Sequence, residues 1–249
     1  MSHVTQPPTL LQAARRWAGD SLRARGVFGS IKYLGEQLAE LARDSTPERR
    51  RSRFGDIDYD CDHNVDTTWA RLPLGVRLRE IFSERLYQPT VEGEFDEIMR
   101  ALPDIDCKAF TFIDLGSGKG RALLLAARYP FARVVGVEVQ PHLESIARAN
   151  LEKIRGGMRC AVTESICADA REYEFPAGGI LLYLFNPFPD YVLATVLDKL
   201  RESARRSPRP VLVVYSAPYE QKEFAARAEF RRLHDTEQFH LYRLEAEQG

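Results

Sequence analysis

A chain of 249 residues with 35 Lys+Arg against 36 Asp+Glu has a formal net charge of −1 at pH 7, which excludes overall attraction to nucleic acid or to an anionic membrane. That length suits one full α/β domain with an extension or two small domains, and 44% apolar residues are ordinary for a globular protein with a sizeable core. Four cysteines (Cys61, Cys107, Cys160, Cys167) form no C-x-x-C pair and have no histidine nearby at metal-ligand spacing, so no metal and a reduced compartment are expected. The first residues lack a signal-peptide pattern, and no apolar run approaches the roughly 20 residues that span a bilayer. A soluble cytoplasmic protein, with neither nucleic acid nor a membrane as partner, is therefore expected.

From 8 to 43 the apolar positions recur at helical spacing, as Leu10, Leu11, Ala14 and Trp17 and again as Ile31, Leu34, Leu38 and Leu41. The stretch 25–30, which holds Gly26 and Gly29, breaks them. A polar, basic linker follows over 45–53. Next come Asp56, Asp58, Asp60 and Asp62 at alternating positions. They lack the glycine and glutamate of a calcium loop and read as a solvated or cap-forming strand. Short helices are expected over 78–86 and 92–102. These segments define a helical N-terminal extension or cap over 1–85 and a second domain over 86–249.

After Asp104 strands and helices alternate. Strands are expected over 109–115, 133–139, 160–166, 180–185 and 211–216, with helices over 119–129, 142–154, 191–204 and 221–228 between or after them. Two final strands, 230–234 and 239–244, are joined by a linker short enough for a hairpin. This order implies an α/β fold: a doubly wound, seven-stranded, mostly parallel sheet with an antiparallel final strand, plus the helical extension.

The loop Gly116-Ser-Gly-Lys-Gly120 lies directly between a strand and a helix, at the sheet edge where ligands bind. Its glycines permit a tight turn and a close approach to the backbone. Glu138 ends the next strand, 18 residues past Gly120, where a carboxylate can accept both hydrogens of a ribose diol. Asp169, followed by Ala170, is placed to accept from an adenine amino group. Asp114 precedes the loop and would favour an ammonium while repelling a pyrophosphate. The third glycine sits one residue too early for G-x-G-x-x-G, and no Walker-type loop is present. Adenosine without phosphates fits best, although Asp114 could instead cap the helix. Lys119 and Arg121 read as solvated first-turn residues.

These motifs together resemble the class I (seven-stranded, Rossmann-like) S-adenosylmethionine (SAM)-dependent methyltransferases over about 140 residues. Asp114-Leu-Gly-Ser-Gly-Lys-Gly120 is similar to their first motif and Val135-Gly-Val-Glu138 to their second. Ala168-Asp169-Ala170 is similar to the adenine motif, and Leu184-Phe-Asn-Pro-Phe188 to the fourth. The resemblance implies SAM as cofactor, held by Asp114, Gly116, Ser117, Gly118, Gly120, Glu138, Asp169, Ala170 and Asn186. Tyr87-Gln-Pro-Thr90 resembles a motif of the protein-lysine methyltransferase branch, which implies that Tyr87 and Thr90 reach the cofactor.

Asn186, Pro187 and Phe188 follow the most apolar strand and are the candidate catalytic residues. An asparagine oxygen can accept an amine hydrogen, and an aromatic ring can shelter a cation. Asn-Pro also ends a strand for purely structural reasons. The related N-P-P-[YF] motif has two prolines where this chain has one. A nitrogen acceptor, on a protein lysine or a small molecule, is expected. Tyr183, Tyr215, His63 and Asp190 are unranked candidates for a base. The alternatives are a SAM-binding interaction protein without transfer activity and a nucleotide-dependent oxidoreductase.

Overall fold

The computed structural model describes residues 9–43, 57–68, 88–186, 188–218 and 222–245, and it separates into two units, 1–91 and 92–249. The stretch 78–86, expected to be helical, lies outside the described residues.

In the first unit, helix α1 (Leu10–Arg43) is interrupted at Gly26, whose φ of 67° and ψ of −179° are not helical. The two arms fold back on one another. Ser21 Oγ donates to Ser30 Oγ at 2.9 Å, and the Trp17 and Tyr33 rings stack 6.2 Å apart. Ser30 also donates to the Gly26 carbonyl at 2.8 Å, which satisfies an acceptor released by the break. The sequence break at 25–30 is thus the corner of a helical hairpin.

Asp58, Asp60 and Asp62 lie in helix α2 (Ile57–Asp62) rather than a strand, and Asp56 lies outside the described residues. Asp60 explains the difference. Its buried carboxylate accepts the backbone N–H of Thr67 at 2.9 Å, that of Thr68 at 3.0 Å and the Thr67 hydroxyl at 2.5 Å. A carboxylate that gathers three donors stabilises a turn, and alternation of charge carries no strand preference against it.

The second unit opens with α3 (Glu92–Ala101), then β1 (Phe110–Leu115), α4 (Arg121–Ala126), β2 (Arg133–Glu138) and α5 (Pro141–Ile154). There follow β3 (Thr163–Cys167), β4 (Gly179–Phe185), α6 (Asp190–Arg206), β5 (Val211–Ser216), α7 (Lys222–Ala225), β6 (Phe230–Asp235) and β7 (Phe239–Leu244). The sheet order is β3-β2-β1-β4-β5-β7-β6, parallel except for the pairings that β7 makes with β5 and β6. The seven-stranded, mostly parallel sheet matches expectation. Its third strand starts three residues later than 160 and runs to Cys167.

Burial on both faces explains the apolar strands. Phe112 and Tyr183 stack 5.9 Å apart on one face, with Phe95 and Phe131 against them. On the other face Ile113, Leu182 and Val213 pack with Val192, Leu193, Val196, Leu197 and Leu200 of α6. That i, i+1, i+4, i+5, i+8 spacing is one helix stripe, and each such side chain contributes about 1.5–3 kcal/mol when buried. Among the described residues no helix is long and apolar enough to cross a membrane.

Candidate functional site

The sheet register places the ends of five strands side by side. Asp114 lies between Gly136 and Tyr183, Glu138 lies beside Cys167, and Phe185 lies beside Ser216. The glycine loop, Glu138, Asp169 and Asn186 all follow these ends, so one sheet edge collects them.

Loop geometry follows from its glycines. Gly116, Gly118 and Gly120 have φ of 88°, 54° and 83°, values that side chains rarely adopt. Gly120 begins α4, and a Cβ there would also crowd the Ala147 side chain at 3.1 Å. Gly116 and Ser117 donate to the Val137 carbonyl at 2.8 and 3.1 Å, which fastens the loop to β2. A second glycine matters within β2. A Cβ on Gly136 would overlap Leu123 Cδ1 and come within 2.8 Å of Ser117 Oγ. The loop and α4 therefore sit directly on the strand backbone.

Glu138 closes the arrangement. Its Oε2 accepts the Gly118 N–H at 2.9 Å and its Oε1 accepts the Gln140 N–H at 2.8 Å. Burial raises its pKa above the usual glutamate value, against these backbone donors, which lower it. Asp114 is fully buried, and burial first, then the charge of Glu138, pushes its carboxyl well above the ordinary value of 3.8. Two neighbouring carboxylates in a dry place favour a ligand that brings positive charge and hydroxyl donors. Among the described residues, the Ser117 hydroxyl, 5% exposed, has no hydrogen-bond partner.

Asp169 lies beyond β3, and the Ala168 N–H donates to the Glu138 carbonyl at 3.1 Å, which ties this turn to the same edge. Its carboxylate already accepts the Arg171 backbone N–H at 2.9 Å and pairs with the Arg171 guanidinium at 2.6 Å. The Arg171 hydrogen bonds hold its pKa below the usual range. Ala170 is buried in the apolar core. Asn186 has a φ of 38°, an uncommon conformation for a residue other than glycine, and its Oδ1 accepts the Tyr215 hydroxyl at 3.2 Å. Ala217, one residue past the end of β5, has a φ of 48°. Phe188 is half-buried and packs against the core on the α6 face, and Pro187 lies outside the described residues.

Lys119 and Arg121 are corrected outright. They are 0% and 1% exposed, not solvated. Burial of the loop against the sheet carries both side chains inward, and their sequence neighbours give no sign of it. Tyr215 emerges from the candidate bases as the residue bonded to Asn186. Tyr183 is buried in the aromatic cluster, Asp190 is exposed at the start of α6, and His63 stacks on Tyr59 at 4.0 Å within the first unit. Thr90 is buried, and Tyr87 lies outside the described residues. The importance of Gly136 was readable in principle, since a lone glycine in an apolar strand marks close backbone approach.

The mitomycin 7-O-methyltransferase MmcR superposes on 98% of this chain and 74% of its own, with a TM-score of 0.51 at 14% identity. The chain has the class I SAM-dependent methyltransferase fold. The same methyltransferase fold matches an RNA methyltransferase from Salinibacter ruber, solved with S-adenosyl-L-homocysteine, at 22% identity and a TM-score of 0.46 over 65% of this chain and 96% of that one. It also matches the magnesium protoporphyrin IX methyltransferase of Synechocystis PCC 6803, solved with SAM, at 11% identity and a TM-score of 0.44 over 80% of this chain and 96% of the other. No family model and no curated relative matches the sequence.

Proposed function

We propose that this chain is a SAM-dependent methyltransferase whose methyl acceptor is a nitrogen nucleophile, on a protein lysine or a small-molecule amine. The observation that carries the reading is the Glu138–Gly118 bond beside a buried Asp114, which builds at one strand end a cradle for a cationic, hydroxyl-bearing nucleoside. When bound, SAM supplies an electrophilic methyl on a sulfonium. Asp114 faces its ammonium, Glu138 accepts from the ribose diol with its remaining lone pairs, and the Asp169 turn meets the adenine.

Asn186 would orient the acceptor. Tyr215 occupies one lone pair of its Oδ1 and fixes the amide, and the second lone pair stays available for an amine hydrogen. Fixing the reacting atoms in line is the main work a protein can do for such a displacement. A lysine amine with a pKa near 10.4 must first lose a proton, at a cost of about 4–5 kcal/mol at neutral pH.

Titration calorimetry with SAM, S-adenosylhomocysteine and NAD tests the cofactor, and SAM binding without NAD binding is the expected result. NAD binding alone would overturn the reading. Radiolabelled SAM incubated with a host lysate then locates the acceptor. Label on nitrogen is expected, and label on oxygen or carbon would replace the acceptor class while leaving the enzyme. SAM binding with no label in any fraction would leave an interaction protein.

A further inference from the structure

We infer that the apex of the N-terminal helical hairpin is a docking point for an anionic lipid surface. It is independent of the methyltransferase reading. The hairpin buries Ala13, Trp17, Ser21 and Ser30 between its arms and turns other side chains outward. At the Gly26 corner Leu22, Val27, Phe28 and Ile31 are 47%, 61%, 89% and 65% exposed. Phe28 is the most exposed large apolar side chain among the described residues. Large apolar groups clustered at one exposed tip mark an interaction site, whereas single ones do not.

Charge selects the occupant. The near-zero balance of the whole chain does not hold at the corner: segment 20–36 has Arg23, Arg25 and Lys32 against Asp20 and Glu36, which stand at its two ends, away from Gly26. Arg25 stays at the corner by donating to Ser21 Oγ at 3.2 Å and lying over the Tyr33 ring at 4.3 Å. Arg23 and Lys32 are exposed, and Lys32 lies 4.0 Å from Glu36. An apolar tip flanked by cations fits the boundary between acyl chains and anionic headgroups. A second copy of the tip would bring like charges together, which opposes self-association there. The backbone polar groups of the two arms are satisfied within helices, so shallow insertion leaves few of them stranded.

The test is co-sedimentation of the full chain with phosphatidylcholine vesicles, with and without phosphatidylserine. Sedimentation with the phosphatidylserine vesicles alone, weakened by salt, is expected. Phe28→Asp should abolish it, and Arg23→Gln and Lys32→Gln should each lower the partition coefficient about fivefold. Circular dichroism checks that each variant folds. If Phe28→Asp does not fold, Val27→Ser with Phe28→Ser reads the same loss. Equal sedimentation with both vesicle types, none with either, or full binding by the apolar variants would overturn the proposal. So would concentration-dependent self-association that Phe28→Asp removes, which would assign the tip to a second copy.

Discussion

Glu138 and Gly118 meet across the end of β2, where Oε2 of the carboxylate accepts the loop N–H at 2.9 Å and leaves its other lone pairs to a ligand. The same side chain shapes the loop and, in the proposed role, accepts from the ribose. Glu138→Ala should weaken SAM by about 1.5–3 kcal/mol, the loss of hydrogen bonds to a charged group. Glu138→Gln keeps one acceptor and should lose less. Calorimetry on both folded variants checks this, and equal affinity for wild type and Glu138→Ala would move the ribose site elsewhere.

Asp114 sets stability against binding. Its folded pKa lies well above 3.8, so between that value and the raised one the folded chain binds more protons than the unfolded chain. Stability without ligand therefore falls as pH rises through that window, and the loss persists above it. Asp114→Asn removes the buried charge and should raise the melting temperature of the ligand-free protein at neutral pH, by roughly 2–4 °C per kcal/mol regained. It should weaken SAM at the same time. Thermal melts between pH 4 and 8, run with and without SAM, separate the two effects.

The Tyr215–Asn186 bond predicts a split between binding and turnover. Asn186→Ala should lower kcat at least tenfold while changing SAM affinity little, because in the proposed role the amide orients the acceptor rather than the ribose. Tyr215→Phe removes one neutral hydrogen bond, at a net cost of about 1 kcal/mol, and should lower kcat less. Equal loss of SAM affinity and kcat in Asn186→Ala would make it a structural residue.

Gly136→Ala tests the packing of the loop. Its Cβ would overlap Leu123 Cδ1 and crowd Ser117 Oγ, so the Leu123 side chain, the loop or α4 must shift. A loss of about 1–3 kcal/mol in chemical denaturation is expected, together with weaker SAM binding, because the loop rests on that strand. A variant as stable as wild type would show that α4 yields freely.

Sheet architecture was legible because β1, β2, β4 and β5 bury both faces and therefore read as apolar runs. Asp114, the loop glycines and Glu138 were legible because a strand–turn–helix fixes where its turn residues go. Three features were not. Asp60 looked like one of four equivalent acids, and only the fold brings Thr67 and Thr68 onto it. Lys119 and Arg121 have the composition of a solvated turn, yet tertiary packing buries them. Asp169 read as a free acceptor, although Arg171 two residues on pairs with it. For Asp60, Lys119 and Arg121 a contact beyond the local pattern decided the outcome, whereas Asp169 is held by a neighbour two residues on.

The interior position of β7 has a consequence for how the chain is made. It lies between β5 and β6, yet it leaves the ribosome after both. Until it arrives, the Val-Leu-Val-Val-Tyr-Ser edge of β5 has no partner on that side. An apolar, unpaired edge in a nascent chain is an invitation to intermolecular strand pairing. Yield during synthesis therefore depends on how quickly residues 239–244 reach β5, a race that the finished fold no longer records.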